Sequence, residues 1–363
     1  MKKRLCTAAL GVALILSLAA CSSGSAVIPT VPASEPTEND DSVIYDLRVG
    51  QMGTSIKASM VVLANELGYY EEEGLNVSLE PISNLNDGIT AITAGKLDIL
   101  PMGVIPTCTF VSQGADLTIF GGTIAEGSVC VSLPERAEEF SDPTALAGKT
   151  VACVRAETGH MLIKGAIREA GVSLDDVNFV ELDGFQSVVE AVLKGTADVG
   201  FVNSGFEQNA KTQGLALPFY VAEYAPNAVC CRQTASRAAI ETDREAYVRF
   251  QIANLRAMKT MYDDPEKTIA TLAAYSGQSE DYVDYCIYES AMKISMDPAK
   301  NRVLEFYQIM KDNGDIAADT TYDMTDAVDS SIYYDALTEL IRRYPEDNHF
   351  QAMMDQFEEN NVG

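Results

Sequence analysis

The residues most able to do chemistry sit in a few short runs. Ala156-Glu157-Thr158-Gly159-His160 opens a helical stretch, and the first turn of a helix offers unpaired backbone N–H groups that suit an anion. Glu157 puts a carboxylate there. It would compete with an anionic ligand for those donors and would suit a cationic or hydrogen-bond-donating one. Without a ligand it complements the helix dipole, by roughly 0.3–1 kcal/mol. Arg155 alongside keeps an anionic ligand in play, and His160 reads as packing against a strand. Cys230-Cys231 is a vicinal pair, but there is no CxxC, and His160 and His349 are the only histidines. Spacing therefore supplies neither a zinc site nor a disulfide pairing. No nucleophile–base–acid set and no phosphate loop is evident, so no cofactor is expected and an enzyme is not the leading reading.

These runs are positioned by a duplication. Residues 76–99 and 176–199 align without a gap at an offset of 100: Val77 with Val177, Ile82 with Leu182, Ile89 with Val189, Gly95 with Gly195, Asp98 with Asp198. Each copy parses as an alternating strand, a helix ending at glycine, and a short apolar strand. Two such units predict two α/β lobes with mostly parallel sheets. The flanks add strands at Asp46–Gly50 and Lys149–Val154 and helices over Ser55–Leu67 and Gly159–Ala170. From about Asp243 the pattern is helical: Asp243–Tyr262, Pro265–Tyr275, Ser279–Ser290, Pro298–Asn313 and Ser331–Tyr344, with Pro265 and Pro298 at first turns. Ligands of open α/β sheets bind at the carboxyl ends of strands. The candidate contacts are thus Gln51, Thr54, Ser55, Ser83, Asn84, Met102, Gly103 and Val104 from the first lobe, and Glu126, Glu157, Thr158, Asn203 and Phe206 from the second. With no tryptophan in the chain, Phe185 and Phe206 are the sources of stacking.

The 363 residues suit about two domains, at roughly 150 residues each. A net charge of −27 excludes nucleic acid and electrostatic docking on anionic lipid, both of which need clustered Lys and Arg. The N-terminus carries Lys2, Lys3 and Arg4, then an apolar run, Leu5–Leu18, too short for the roughly 20 residues of a membrane span. Leu18-Ala19-Ala20-Cys21 resembles the bacterial lipobox, which implies a signal peptide over 1–20 and acylation, palmitate included, of Cys21 as the first mature residue. The Ser/Pro/Thr-rich stretch that follows, within 21–45, reads as a tether.

Leu47-Arg48-Val49-Gly50, Glu66-Leu67-Gly68-Tyr69-Tyr70-Glu71-Glu72-Glu73-Gly74, Ala94-Gly95-Lys96-Leu97-Asp98 and Leu146-Ala147-Gly148-Lys149 together resemble the substrate-binding proteins of ABC transporters. The group is that of the nitrate, taurine/alkanesulfonate and thiamine-pyrimidine-precursor binders, and the resemblance covers about residues 46–275. It implies a periplasmic-binding-protein-like type II fold. Lobe one would hold 46–124 and 230–345, lobe two 125–229, with crossings near Ala125 and Cys230, the C-terminal helices packed on lobe one, and an acidic tail over 346–363. It also implies a monomeric, extracytoplasmic, lipid-anchored receptor that passes a small molecule to an ABC permease. Sulfonate binders of the group often carry a glycine–serine–threonine–x–histidine run where this chain has Ala156–His160. The departure at Glu157 favours an aminopyrimidine or other nitrogenous compound over sulfonate or nitrate. The alternatives are a ligand-presenting sensory module and a pyrimidine-precursor synthase-like enzyme; that enzyme branch carries several clustered cysteines where this chain has only Cys230-Cys231.

Overall fold

The computed structural model describes residues 43–53, 56–203 and 205–362, and of Glu126 the backbone alone. The expected signal peptide, Cys21 and most of the tether lie outside the described residues. The first repeat runs through β1 (Tyr45–Gln51), α1 (Ser59–Glu66), α2 (Tyr69–Glu72), β2 (Leu75–Pro81), α3 (Leu85–Thr93), β3 (Leu100–Gly103) and α4 (Val104–Ser112). Two strands follow, β4 (Leu117–Glu126) and β5 (Ser128–Ser132). The second repeat is β6 (Thr150–Val154), α5 (Thr158–Glu169), β7 (Asn178–Leu182), α6 (Phe185–Leu193), β8 (Val199–Asn203) and α7 (Phe206–Thr212). Strand β9 (Val229–Ser236) leads into α8 (Arg237–Thr242), α9 (Arg244–Asp263), α10 (Pro265–Ser276) and α11 (Glu280–Asp284). Strand β10 (Met292–Ile294) precedes α12 (Lys300–Asp312), α13 (Ser331–Arg343) and α14 (Asn348–Asn361).

The repeats match down to single hydrogen bonds. Helices α3 and α6 each end before a glycine in the left-handed region, Gly95 at φ 64° and Gly195 at φ 70°, where a Cβ would be strained. Three residues on, an aspartate folds back onto the first strand of its own repeat. Asp98 accepts the Arg48 backbone N–H at 2.7 Å and its guanidinium at 2.8 Å. Asp198 accepts the Thr150 N–H at 2.8 Å and the Arg136 guanidinium at 2.7 Å. Parallel pairing of β1 with β2, and of β6 with β7 and β8, completes each unit.

The expectation of mostly parallel sheets holds inside the repeats and gives way where the chain passes between them. Strand β9 runs antiparallel between β3 and β4, β10 antiparallel to β4, and β5 antiparallel to β8. Strand β4 leaves the first sheet and β9 returns to it, so the two oppose each other. Gly50 donates to the Ile99 carbonyl at 2.8 Å and joins the β1–β2 pair to that sheet. Every strand of the other sheet, in the order β5-β8-β6-β7, comes from residues 128–203. At the changes of sheet the backbone turns through positive φ, at Gly127 (98°) and Asn227 (57°).

The Gly68–Gly74 motif proves to be structural. Tyr70 is buried, stacks on Phe250 at 4.9 Å and donates to Asn254 at 2.8 Å. The buried Glu73 carboxylate is held by Arg256 and Arg343, each at 2.7 Å. The C-terminal helices pack largely around α9, but α12 also reaches the second repeat. Arg168 of α5 bonds Asn313 at 3.0 Å, and Asn313 donates to the Met161 carbonyl at 3.1 Å. Pro265 opens α10 as expected. Pro298 does not open α12, because Ala299 adopts φ 50° and the helix starts only at Lys300. The acidic 346–363 segment forms α14, which docks by burying Phe350 and Phe357 seven residues apart.

Replacing Asp198 by Ala should cost about 1–3 kcal/mol, read as a lower urea midpoint, because it strands the Thr150 N–H and Arg136. Burial opposes ionisation of Asp198, but Arg136 and the Thr150 N–H outweigh it and hold its pKa below the ordinary value. Its contribution is therefore full above about pH 4 and is lost as pH falls through the lower native value. The variant should show a shallower stability loss on acidification than the parent.

Candidate functional site

A cavity of about 320 Å³ opens where the strands of both repeats end. The first repeat supplies Gly50, Gln51 and Met52 from the end of β1, Ile82 and Leu85 after β2, and Leu100, Met102 and Gly103 of β3. The second supplies Val154, Arg155, Ala156, Glu157 and Thr158 from β6 into α5, and Phe185 at the start of α6. Leu85 and Phe185 are equivalent positions of the duplication, facing one space from its two sides. Cys230 and Cys231 of β9 form part of the wall.

Glu157 is the residue around which this wall is built. It is the N-cap of α5, and its Oε2 accepts the Gly159 N–H at 2.8 Å. Its Oε1 accepts the Ser128 hydroxyl at 2.8 Å and the Asn203 amide at 2.7 Å. Asn203 also donates to Ser128 Oγ at 2.7 Å, closing a buried ring of polar groups. Gly159 is required here, since a Cβ on it would lie 2.3 Å from Ser128 Oγ. Ala156 holds φ 55°, left-handed for a residue with a Cβ, and turns the chain so that Glu157 caps the helix. The carboxylate thus fills the helix end that an anionic ligand would otherwise occupy.

Around this ring the charges are mixed. Burial lowers the pKa of Lys57, but Cys230, Cys231 and Glu157 outweigh it and the net shift is upward. The Lys57 ammonium lies 5.6 Å from the Phe185 ring, linking the two sides of the cavity. Arg155 is exposed and pairs with Glu181 at 3.2 Å. His160 is fully buried, with both ring nitrogens lacking a hydrogen-bond partner, and burial lowers its pKa against the pull of Glu157 4.0 Å away. It is a packed, neutral side chain. Among the described residues no group of three His, Cys, Asp or Glu is arranged to hold a metal ion, and no helix is long and apolar enough to cross a membrane.

Of the candidates named from sequence, Gln51, Met102, Gly103, Glu157 and Thr158 line the cavity. Gln51 is oriented by donating to the Tyr275 hydroxyl at 2.9 Å. Asn203 stands behind Glu157 and Val104 is buried in the core, neither of them on the cavity wall. Phe206 packs against Phe185 with rings 5.7 Å apart, supporting the lining residue. Ser83 and Asn84 are exposed outside the wall, and Asn84 caps α3 by accepting the Asp87 N–H at 3.0 Å. Thr54, Ser55 and the Glu126 side chain lie outside the described residues. Sequence reasoning missed Lys57 as a wall residue, although it follows the first strand at a distance typical of a cleft loop. It also missed that the buried Cys230 and Cys231 share this wall, which depends on an irregularity in the pairing of β9 with β4.

A family model described as "NMT1/THI5 like" matches residues 56–268. The 4-amino-5-hydroxymethyl-2-methylpyrimidine phosphate synthase of Candida albicans is 24% identical over 58% of this chain and 65% of its own length. A putative binding protein of Brucella abortus is 29% identical over 38% of this chain and 41% of its own. The matched stretch thus spans less than two thirds of either relative. Among solved structures, the nitrate-binding protein of Synechocystis has a TM-score of 0.67 at 12% identity, covering 82% of this chain and 89% of that one. The aliphatic sulphonate-binding protein of Escherichia coli gives 0.63 at 17% identity over 80% and 99%. The fold is that of periplasmic binding proteins.

Glu157→Gln tests the capping ring. Whichever way the amide turns, its NH2 would meet a donor, the Gly159 N–H or the Asn203 amide, so we expect a loss of about 1–3 kcal/mol in thermal unfolding. Ser128→Ala, which leaves the other two partners in place, should cost less.

Proposed function

The chain belongs to the NMT1/THI5-like family, and we propose that it is the lipid-anchored solute receptor of an ABC importer. On this reading Cys21 holds the mature protein at the outer face of the cytoplasmic membrane. The lobes, 46–124 with 230–345 and 125–229, hinge where the chain crosses near Gly127 and Asn227. The protein acts as a monomer, closes on a small organic molecule and presents it to the permease. Among the comparisons, solved binding proteins share the fold over most of the chain.

The observation that carries the ligand assignment is Glu157 seated on the N-terminus of α5 inside the cavity. A sulfonate or nitrate would have to displace a carboxylate already bonded to three donors. A neutral or weakly basic nitrogen heterocycle does not. Its ring would lie among Leu85, Met102 and Phe185, with Gln51 and Thr158 available to its polar edge. A volume of about 320 Å³ is at the small end of ligand cavities, as a single substituted ring requires. Touching residues of both repeats gives such a ligand the differential affinity that closure needs.

The synthase among the relatives supplies a second reading, a pyrimidine-precursor enzyme. The cavity walls favour binding: among the described residues they bring together no nucleophile, base and acid in hydrogen-bonded sequence, and His160 is buried and neutral behind Glu157.

A thermal-shift series on the body from about Asp41 tests the proposal. An aminopyrimidine such as 4-amino-5-hydroxymethyl-2-methylpyrimidine, at 100 times its Kd, should add about 2.7 kcal/mol of stability. Solution scattering should show a smaller radius of gyration on saturation. Taurine and nitrate should leave both readouts unchanged; a shift with sulfonates alone would overturn the ligand assignment.

A further inference from the structure

Solute binding makes no use of a feature built into β9. Its pairing with β4 moves from Cys231 opposite Ile124 to Val229 opposite Ala125, so Cys230 is an extra residue, a bulge. Consecutive side chains of a regular strand point to opposite faces, and a bulge breaks that alternation. Here Cys230 and Cys231 both belong to the cavity wall, and their Sγ atoms lie 3.7 Å apart. Thr158 donates its hydroxyl to Cys230 Sγ at 3.2 Å, and the Asn203 amide lies 4.0 Å from the same sulfur. Two donors thus converge on the Cys230 sulfur, with the Cys231 thiol beside it.

We propose that Cys230 and Cys231 form a redox modification site inside the cavity, where a small hydroperoxide converts the dithiol to a vicinal disulfide. The Cys230 thiolate attacks one peroxide oxygen; the S–O bond forms as the O–O bond breaks, and the departing alkoxide or hydroxide takes up the proton the thiol released. Cys231 then attacks the sulfenic sulfur. The S–S bond forms, the S–O bond breaks, and the hydroxyl leaves as water with the Cys231 proton. Two thiols and one hydroperoxide give one disulfide, one alcohol (or water) and one water.

The roles follow from the surroundings. The hydrogen bond from Cys231 is the largest influence on Cys230 and lowers its pKa; burial opposes this and Lys57 assists it. Cys231 is shifted the other way by the same bond, as suits a resolving thiol that keeps its proton until the second step. Cys108 and Cys130, buried and off this cavity wall, are pushed far above the ordinary thiol range by burial alone or nearly so. The sulfurs must close from 3.7 Å to about 2.05 Å. Adjacent Cα atoms are only about 3.8 Å apart, under the usual disulfide span, so the product is strained and easily reduced. A reversible bond in the wall beside Thr158 would reshape the cavity. The site stands whether or not the cavity carries a transported solute.

The test uses the reduced full-length body treated with hydrogen peroxide and mapped by peptide mass. The peptide holding Cys230 and Cys231 should lose two hydrogens before other cysteines react, and dithiothreitol should restore it. Cys231→Ser should stop at a sulfenic acid on Cys230, trapped by dimedone. Cys230→Ser should slow oxidation at Cys231 at least about tenfold. Melting curves would confirm that each variant is folded, with Cys231→Ala as the substitute if serine is not tolerated. Oxidation spread evenly over the six body cysteines, or a disulfide formed only in urea, would overturn the proposal.

Discussion

A carboxylate that folds back from the end of a helix onto the first strand of the same repeat is the constraint on which the two sheets depend. Asp98 and Asp198 each sit just past a left-handed glycine and each bind a backbone N–H of β1 or β6. A short parallel pairing is a poor stabiliser by itself, since it closes a long crossover and needs both faces covered. The aspartate fixes where the third strand of the unit starts relative to the first. With that register set, the carboxyl ends of β1 and β3, and of β6, all open toward one space. The cavity is the consequence of this geometry executed twice.

Inside that space the energetics are those of desolvated polar groups rather than of exposed ion pairs. An uncompensated carboxylate in the wall would be costly, and Glu157 avoids the cost through Ser128, Asn203 and the Gly159 N–H. These donors come from β5, β8 and α5, so the ring ties three elements of the second sheet together at the mouth of the cavity. Altering Glu157 therefore perturbs the packing of all three elements at once. Glu73 shows the contrasting case. It too is buried and paired, with Arg256 and Arg343, yet it faces the C-terminal helices and holds them against α2.

Much of this was legible in the sequence, for local reasons. The repeat showed itself because Val77, Ile89, Gly95 and Asp98 recur a hundred residues later with the same spacing of strand, helix and glycine. Most helices after Asp243 followed from period and from prolines, but Ala299 takes a left-handed turn and delays α12 past Pro298, the stretch read as Ser279–Ser290 turns π-helical after Asp284, and the segment read as an acidic tail forms α14. What could not be read were the pairings that depend on distant partners. The antiparallel insertion of β9 between β3 and β4, the short β10, and the seating of α12 on α5 through Arg168 and Asn313 are of this kind. At the site, Gln51 and Glu157 were found by their place after strands. Asn203 was found by the same rule, yet it serves Glu157 from behind, because the rule locates a strand end and not the direction of a side chain.

The bulge at Cys230 joins these themes. It lies only a few residues after Asn227, where the chain re-enters the first sheet, and it adjoins Thr158 at the start of α5. A bulge concentrates twist and leaves one residue outside the ladder, so it is a point at which a returning strand adjusts its direction. The Thr158–Cys230 hydrogen bond links the second sheet's helix to the first sheet's strand, and the Lys57–Phe185 contact likewise joins the two repeats. These links are individually weak, about 0.5–1.5 kcal/mol for a neutral hydrogen bond. The proposed bond between the two sulfurs would act on the first of these links, because it would move the sulfur to which Thr158 donates.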